Sequence, residues 1–129
     1  MIHDRDAHGD VLRALESEGS PEHVVFHCFS GDAAFAKACA ERGYVMSFAG
    51  NVTFKNADDL RAAAALAPPE LLLVETDAPF LTPMPFRGRP NAPYLVPITV
   101  RALAEVRGES PDQVAAAVSA TAARVFAWT

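Results

Sequence analysis

With 129 residues, 50% of them hydrophobic and 21% charged, the chain has the length and balance of a folded single domain rather than a disordered segment. Aliphatic runs such as Leu71-Leu72-Leu73-Val74 fall far short of the roughly 18 residues that span a bilayer, and the N-terminal MIHDRDAHGD carries charge from its fourth residue with no apolar signal region, so the expected location is the cytoplasm. A net charge of −5 gives no global attraction for nucleic acid, although a bound divalent cation reverses the sign of a site locally.

In chain order, Met1-Ile2 before His3 reads as the stump of a strand, followed by the charged Asp4, Arg5 and Asp6, and His8 falls at the exposed start of a helix. His23, after Pro21-Glu22, reads as a surface loop residue. Residues 24–29, VVFHCF, form a short apolar run between Pro21 and Gly31 and predict a buried strand. A helix over 32–42 follows, with Ser30 or Gly31 to cap it and Gly43 just past its end. Residues 44–48 predict the next strand, ended by Gly50-Asn51, and Asn56 caps a helix running to about Leu66, where Pro68-Pro69 stop it. A third complete strand covers 71–75. Apolar runs alternating with helical ones predict βαβ units and a parallel sheet.

Beyond Thr76 the pattern changes. Residues 77–97 contain Pro79, Pro83, Pro85, Pro90, Pro93 and Pro97 and predict a long ordered loop, a feature that in a compact domain is usually either functional or disordered. Helices return over 98–107 and 111–126, the latter opened by Ser110, Pro111 and Gln113, the pattern of a capping box. The two cysteines, Cys28 and Cys39, lack the spacing of a metal knuckle or a disulfide framework and read as reduced packing residues.

The polar residues fall at strand ends. His27 lies within an apolar run, Glu75 and Asp77 close another two residues apart, and His3 follows the N-terminal stump. Side chains two apart on a strand share a face, and in a βα barrel polar residues at the C-terminal strand ends converge on one catalytic rim. Imidazoles and carboxylates meeting there suit Mg, Mn or Zn. Each has a plainer reading: His27 as a hydrogen-bonded core residue, Asp77 as the start of an Asp-x-Pro turn. Glu75, beside four aliphatic residues, must be paired, protonated or metal-bound if it is buried.

The segments IHDRDAH (2–8), FHCFSG (26–31), SFAGNVTFKN (47–56), VETDAPFLTPMPFRGRPNAPY (74–94) and TAARVFAW (121–128), in this order, resemble the TatD family of metal-dependent deoxyribonucleases. The resemblance implies an α/β fold, a TIM-like (β/α)8 barrel of the metal-dependent hydrolase type with up to two divalent ions at its rim. It implies His3, His27 and Asp77 as metal ligands, Asp77 also as the group that holds or deprotonates the attacking water, Glu75 as a further residue of the site, and Arg87 and Asn91 in the loop that meets substrate. The substrate implied is DNA, single-stranded or at ends.

The chain departs from the family in two respects. Ala92 stands where an acidic residue often follows the Asn, and the N-terminal His-x-His strand and the bridging Glu of the family are absent. A full barrel of this type takes about 250 residues. The expectation is therefore one incomplete domain over 1–129, the C-terminal half of the barrel from the end of strand four to strand eight, with little or no nuclease activity on its own. Such a half would self-associate or pair with a separate N-terminal half. Two other readings stand beside it: a non-catalytic α/β module with a vestigial metal site, and a metal-dependent hydrolase of another ester or amide.

Overall fold

Four apolar runs nucleate four parallel strands, and the intervening helices return the chain across one face. The computed structural model describes residues 1–128. Its elements are β1 (Ile2–His3), α1 (His8–Glu18), β2 (Val25–His27), α2 (Ala33–Glu41), β3 (Val45–Phe48), α3 (Asp58–Leu66), β4 (Leu72–Val74), α4 (Val96–Arg107) and α5 (Pro111–Phe126), with 3-10 turns at Gly50–Thr53, Pro69–Leu71 and Pro93–Leu95. The sheet order is β1-β2-β3-β4, every pairing parallel, with His3 opposite His27, Phe26 opposite Met46 and Phe48 opposite Val74. The parallel α/β architecture agrees with the sequence reading. The strand count corrects it: instead of the end of one strand followed by four complete ones, the described residues hold four in all. The reason is local, since no apolar run follows Glu75 that is not helical or broken by proline.

The core lies between the sheet and the helices. Phe26, Met46, Phe48, Leu72, Leu103 and Val114 are all but inaccessible to solvent, each contributing about 1.5–3 kcal/mol by leaving water. Phe26 meets the edge of Phe35 from α2 at 5.4 Å between ring centroids. Phe26 thus faces the helical layer, and because successive strand residues alternate, His27 emerges on the opposite face. None of the helices in the described residues is long and apolar enough to cross a membrane.

Local chemistry sets the helix ends, in three cases not where the sequence suggested. Asp32, not Ser30 or Gly31, caps α2: its Oδ1 accepts the amide hydrogen of Phe35 at 2.9 Å. Asn56 does not cap α3, because the chain makes one more turn before Asp58, and the acidic Asp58 and Asp59 occupy the first turn facing the positive end of the helix dipole. Val96 and Pro97 belong to α4 rather than to the loop, Pro97 standing in the first turn where its missing N–H costs nothing. The capping box of α5 is present as read, Ser110 Oγ accepting from Gln113 N at 3.1 Å and Gln113 Oε1 from Ser110 N at 2.8 Å.

Candidate metal centre

The C-terminal ends of β1, β2 and β4 bring His3, His27 and Asp77 to the wall of one cleft of about 600 Å3. In each case the chain leaves the strand through a non-glycine residue in the left-handed region: Asp6 (φ 54°), Cys28 (φ 45°) and Asp77 (φ 56°). Left-handed non-glycine residues are uncommon and cluster where a site imposes them. Glu75 and Asp77 do converge, though not by strand alternation. Strand β4 ends at Val74, the Glu75 N–H still donates to Phe48 O at 3.0 Å, and the left-handed backbone of Asp77 then turns its carboxylate back over the sheet end.

Glu75 is half-buried and surrounded by donors. His27 Nδ1–H donates to its Oε1 at 2.9 Å, the Cys28 N–H to Oε2 at 3.1 Å and the Cys28 thiol to Oε1 at 3.0 Å. Burial pulls its pKa upward, but the hydrogen bonds from the Cys28 thiol, Ser47, the Cys28 amide and His27 outweigh that and hold the carboxyl below its usual range. An ionised Glu75 fixes the proton of His27 on Nδ1 and leaves the lone pair on Nε2, the arrangement that metal-ligating histidines have with a carboxylate behind them. Cys39 is a buried packing residue as read from the sequence. Cys28 is not: it is only partly buried and its thiol serves Glu75. Burial first, then the neighbouring Glu75 carboxylate, push that thiol well above its ordinary range, so it stays protonated as a donor.

Ligand atoms of His27, Cys28, Glu75 and Asp77 lie within 4.8 Å of one another, and with the protonated Cys28 thiol spent on Glu75 the nitrogen and oxygen of His27 and Asp77 are the pair that suits a divalent cation. Glu75, however, has both oxygens committed to His27 and Cys28, so its geometry is that of a support behind the ligands. His3 is exposed, outside that tight group, but its Nδ1 lies 3.2 Å from His27 Nε2. Metal–nitrogen bonds of about 2.0–2.1 Å place two ligating nitrogens roughly 3 Å apart, so the spacing of this pair fits a shared ion.

The remaining site residues have other surroundings. Arg87 is exposed and stands over the Phe54 ring, its Cζ 4.0 Å from the centroid. Asn91 braces the loop: it is 7% exposed, its Nδ2 donates to Thr76 O and Phe80 O, both at 2.8 Å, and its Oδ1 accepts from Ala92 N. His23 is exposed as expected. His8 is not simply a surface residue. Its ring stacks on Phe35 at 4.1 Å and its Nδ1 pairs with Asp4, whose side chain is 5% exposed. Sequence reasoning missed Cys28, Asp4 and His8; for the last two the i,i+4 spacing at a helix start was an available signal.

The family model described as TatD related DNase matches residues 1–127. An uncharacterized metal-dependent hydrolase of Mycobacterium tuberculosis, TatD, is 51% identical over 126 residues, covering 98% of this chain and 48% of that protein. YabD, an uncharacterized metal-dependent hydrolase of Bacillus subtilis, is 41% identical, with 98% of this chain and 50% of that protein covered. Among solved structures, the TatD homolog YjjV of Escherichia coli superposes with a TM-score of 0.88 at 31% identity, covering 95% of this chain and 48% of that one. The TatD-family hydrolase of Entamoeba histolytica gives 0.84 at 17% identity, a likeness of fold alone. The chain spans about half the length of the curated relatives it matches. On the family match and the shared fold, it belongs to the TatD-related DNase family of metal-dependent hydrolases.

Proposed function

We propose that the chain forms the C-terminal half of a TatD-type barrel and supplies one side of a site that hydrolyses phosphodiester bonds of DNA, single-stranded or at ends, with up to two divalent ions, Mg, Mn or Zn. The observation that carries this is the convergence of His3, His27 and Asp77 on one cleft, with Glu75 buttressing His27. A divalent ion held there supplies Lewis acidity, favouring the ionised form of water and neutralising charge on the phosphate. His3 Nδ1, His27 Nε2 and an Asp77 carboxylate oxygen would hold the ion, and Asp77 would also accept the proton of the attacking water. Glu75 keeps His27 in the ligating tautomer. Arg87, its guanidinium steadied on Phe54, faces a phosphate of the bound strand, while Asn91 holds the loop that carries Arg87. Held as the structure shows, these groups impose orientation, and a displacement of about 1 Å in such a site costs on the order of a hundredfold in rate.

The outer edges of β1 and β4 support the half-barrel reading, because among the described residues nothing pairs with either. A second set of strands, from a separate N-terminal half or from another copy, would close the sheet and add ligands. The chain alone is accordingly expected to cleave DNA weakly or not at all. The test is hydrolysis of labelled single-stranded DNA, with Mg or Mn, by the chain mixed with the N-terminal half of the M. tuberculosis relative. Cleavage that appears on mixing and disappears with Asp77→Asn is the expected result. A folded mixture that shifts its melting temperature with metal yet leaves DNA intact, while hydrolysing other esters or amides, would transfer the substrate class. A folded mixture without any metal response would mark the site as vestigial.

A further inference from the structure

Phe80 follows the Asp77 turn and stands at the junction of two clefts. With Leu81 it lines both the metal-side cleft described above and a neighbouring groove of about 400 Å3. Its ring is 68% exposed and lies outside the hydrophobic core. Its backbone, by contrast, is held on both sides: the Phe80 N–H donates to Asp77 O at 2.9 Å, and Phe80 O accepts from the Asn91 side chain at 2.8 Å. Leu81 then takes a left-handed conformation (φ 54°), and its carbonyl is seated so close to Gly50 that a Cβ there has no room. A bulky side chain in that region is an outlier, kept only where the surroundings over-determine it. Here the constraint holds an apolar ring in water at the mouth of the metal-side cleft.

The groove beyond Phe80 supplies the second observation. It lies between the two limbs of the proline-rich loop, which are braced across by Thr82 Oγ1 donating to Arg89 O at 2.6 Å and the Asn91 N–H donating to Pro79 O at 3.0 Å. Its lining includes Arg87 and Arg89 and no acidic side chain, in a chain whose net charge is −5. Both arginines are exposed, and neither forms an ion pair with a carboxylate among the described residues. Arg87 rests instead on the Phe54 ring. Free cations beside an exposed aromatic face fit a ligand that carries a phosphate and a flat ring together.

Building on the DNA reading above, we propose that the strand leaves the metal-side cleft through this groove, with the base next to the scissile phosphate stacked on Phe80 and the following phosphate between Arg87 and Arg89. Phe80 is then the residue that selects an unpaired strand. Every base has a π-face, so stacking of this kind carries no sequence preference. Within a duplex, neighbours cover both faces of each base, and the ring can reach only a single strand or a frayed end.

Fluorescence anisotropy of a labelled short oligothymidylate, and of an abasic oligomer of the same length, with the metal-free chain tests this without any need for cleavage. The oligomer with bases should bind about tenfold tighter, the effect of one stacked base. Phe80→Leu should erase that difference with the melting temperature unchanged, because the exposed ring supports no core, and Phe80→Trp should keep it. Arg89→Ala should weaken both oligomers alike and flatten the salt dependence of each. Equal binding of the two oligomers, binding of neither, or a difference that survives Phe80→Leu would overturn the proposal. Loss of the difference on adding the N-terminal half of the M. tuberculosis relative would overturn it too, by assigning Phe80 to a contact between the halves. Should the mixed halves leave DNA uncut while base-dependent binding holds, the nuclease reading fails and the stacking site stands; cleavage with no dependence of binding on the bases has the opposite meaning.

Discussion

Glu75, one residue past the end of β4, accepts the Nδ1–H of His27 at the end of β2 at 2.9 Å, tying together two strands that are not neighbours in the sheet. Ser47 of the intervening β3 helps to hold the pKa of the same carboxylate down. The pair couples fold to site, because the acceptor that satisfies the strand end also decides which nitrogen of His27 is free.

Replacing Glu75 therefore has two separable consequences. In Glu75→Ala the Cys28 amide loses its acceptor, costing about 1–3 kcal/mol, and His27 loses its tautomer lock. Removing such a carboxylate behind a ligating histidine lowers metal affinity about 10–100-fold. Calorimetric titration with Zn or Mn should show that loss in Glu75→Ala and a smaller one in Glu75→Gln, which still accepts through one oxygen. Equal affinities in wild type and Glu75→Ala would leave the buttressing role without support.

The same carboxylate sets an acid limit. Its pKa is held below the usual range in the folded chain, so the folded state favours the ionised form more than the unfolded state does. The unfolded chain then binds more protons at acid pH. The stability this group contributes is complete above the ordinary carboxylate range and is lost as pH falls through the lowered folded value. Urea midpoints measured from pH 7 down to pH 3 should fall more steeply for the wild type than for Glu75→Gln, which has no proton to bind there. Parallel profiles would contradict the assignment.

What could be read in advance divides along physical lines. Strands and most helices were legible because burial has a period, and Glu75 stood out because charge beside an apolar run demands a reason, whereas His3, His27 and Asp77 were singled out as ligands through the family resemblance. Cys28 was not, since its thiol matters only through the left-handed turn that points it at Glu75 across the sheet. The bracing role of Asn91 was not legible for a related reason: prolines lack N–H groups while keeping their carbonyls, and the loop recruits a buried amide to hold Thr76 O and Phe80 O. The buried, unpaired Oδ1 of Asn51 has no signature in one dimension at all, because an absent partner is a property of packing.

Gly50 makes the packing between turn and loop testable. Its would-be Cβ meets Leu81 O at 2.2 Å and Pro83 N at 2.9 Å, backbone atoms that no rotamer change moves aside. Gly50→Ala should thus destabilise the chain at the upper end of the about 1–3 kcal/mol usual for overpacking, read as a lowered urea midpoint. It should also displace Asn51 and Met84 together, seen as linked amide shifts by NMR. Wild-type stability in this variant would mean that the loop is not seated on the turn.

The sheet edges make the last prediction. Strands β1 and β4 are both outermost in a parallel sheet, and beside β4 the partly buried Val74 lies in an apolar groove with Val96, Val118 and the exposed Trp128. Unpaired edges template pairing with other strands, and a second copy turned about an axis parallel to the strands would set β4 beside the partner β1 in the same parallel sense. Light scattering of the purified chain should accordingly report a dimer or larger species, and a charge placed in the groove, Val74→Lys, should shift it toward monomer or precipitate. A monodisperse wild-type monomer would mean that the edges are protected by their shortness, two residues in β1 and three in β4, and that completion by added strands is not required for a soluble fold.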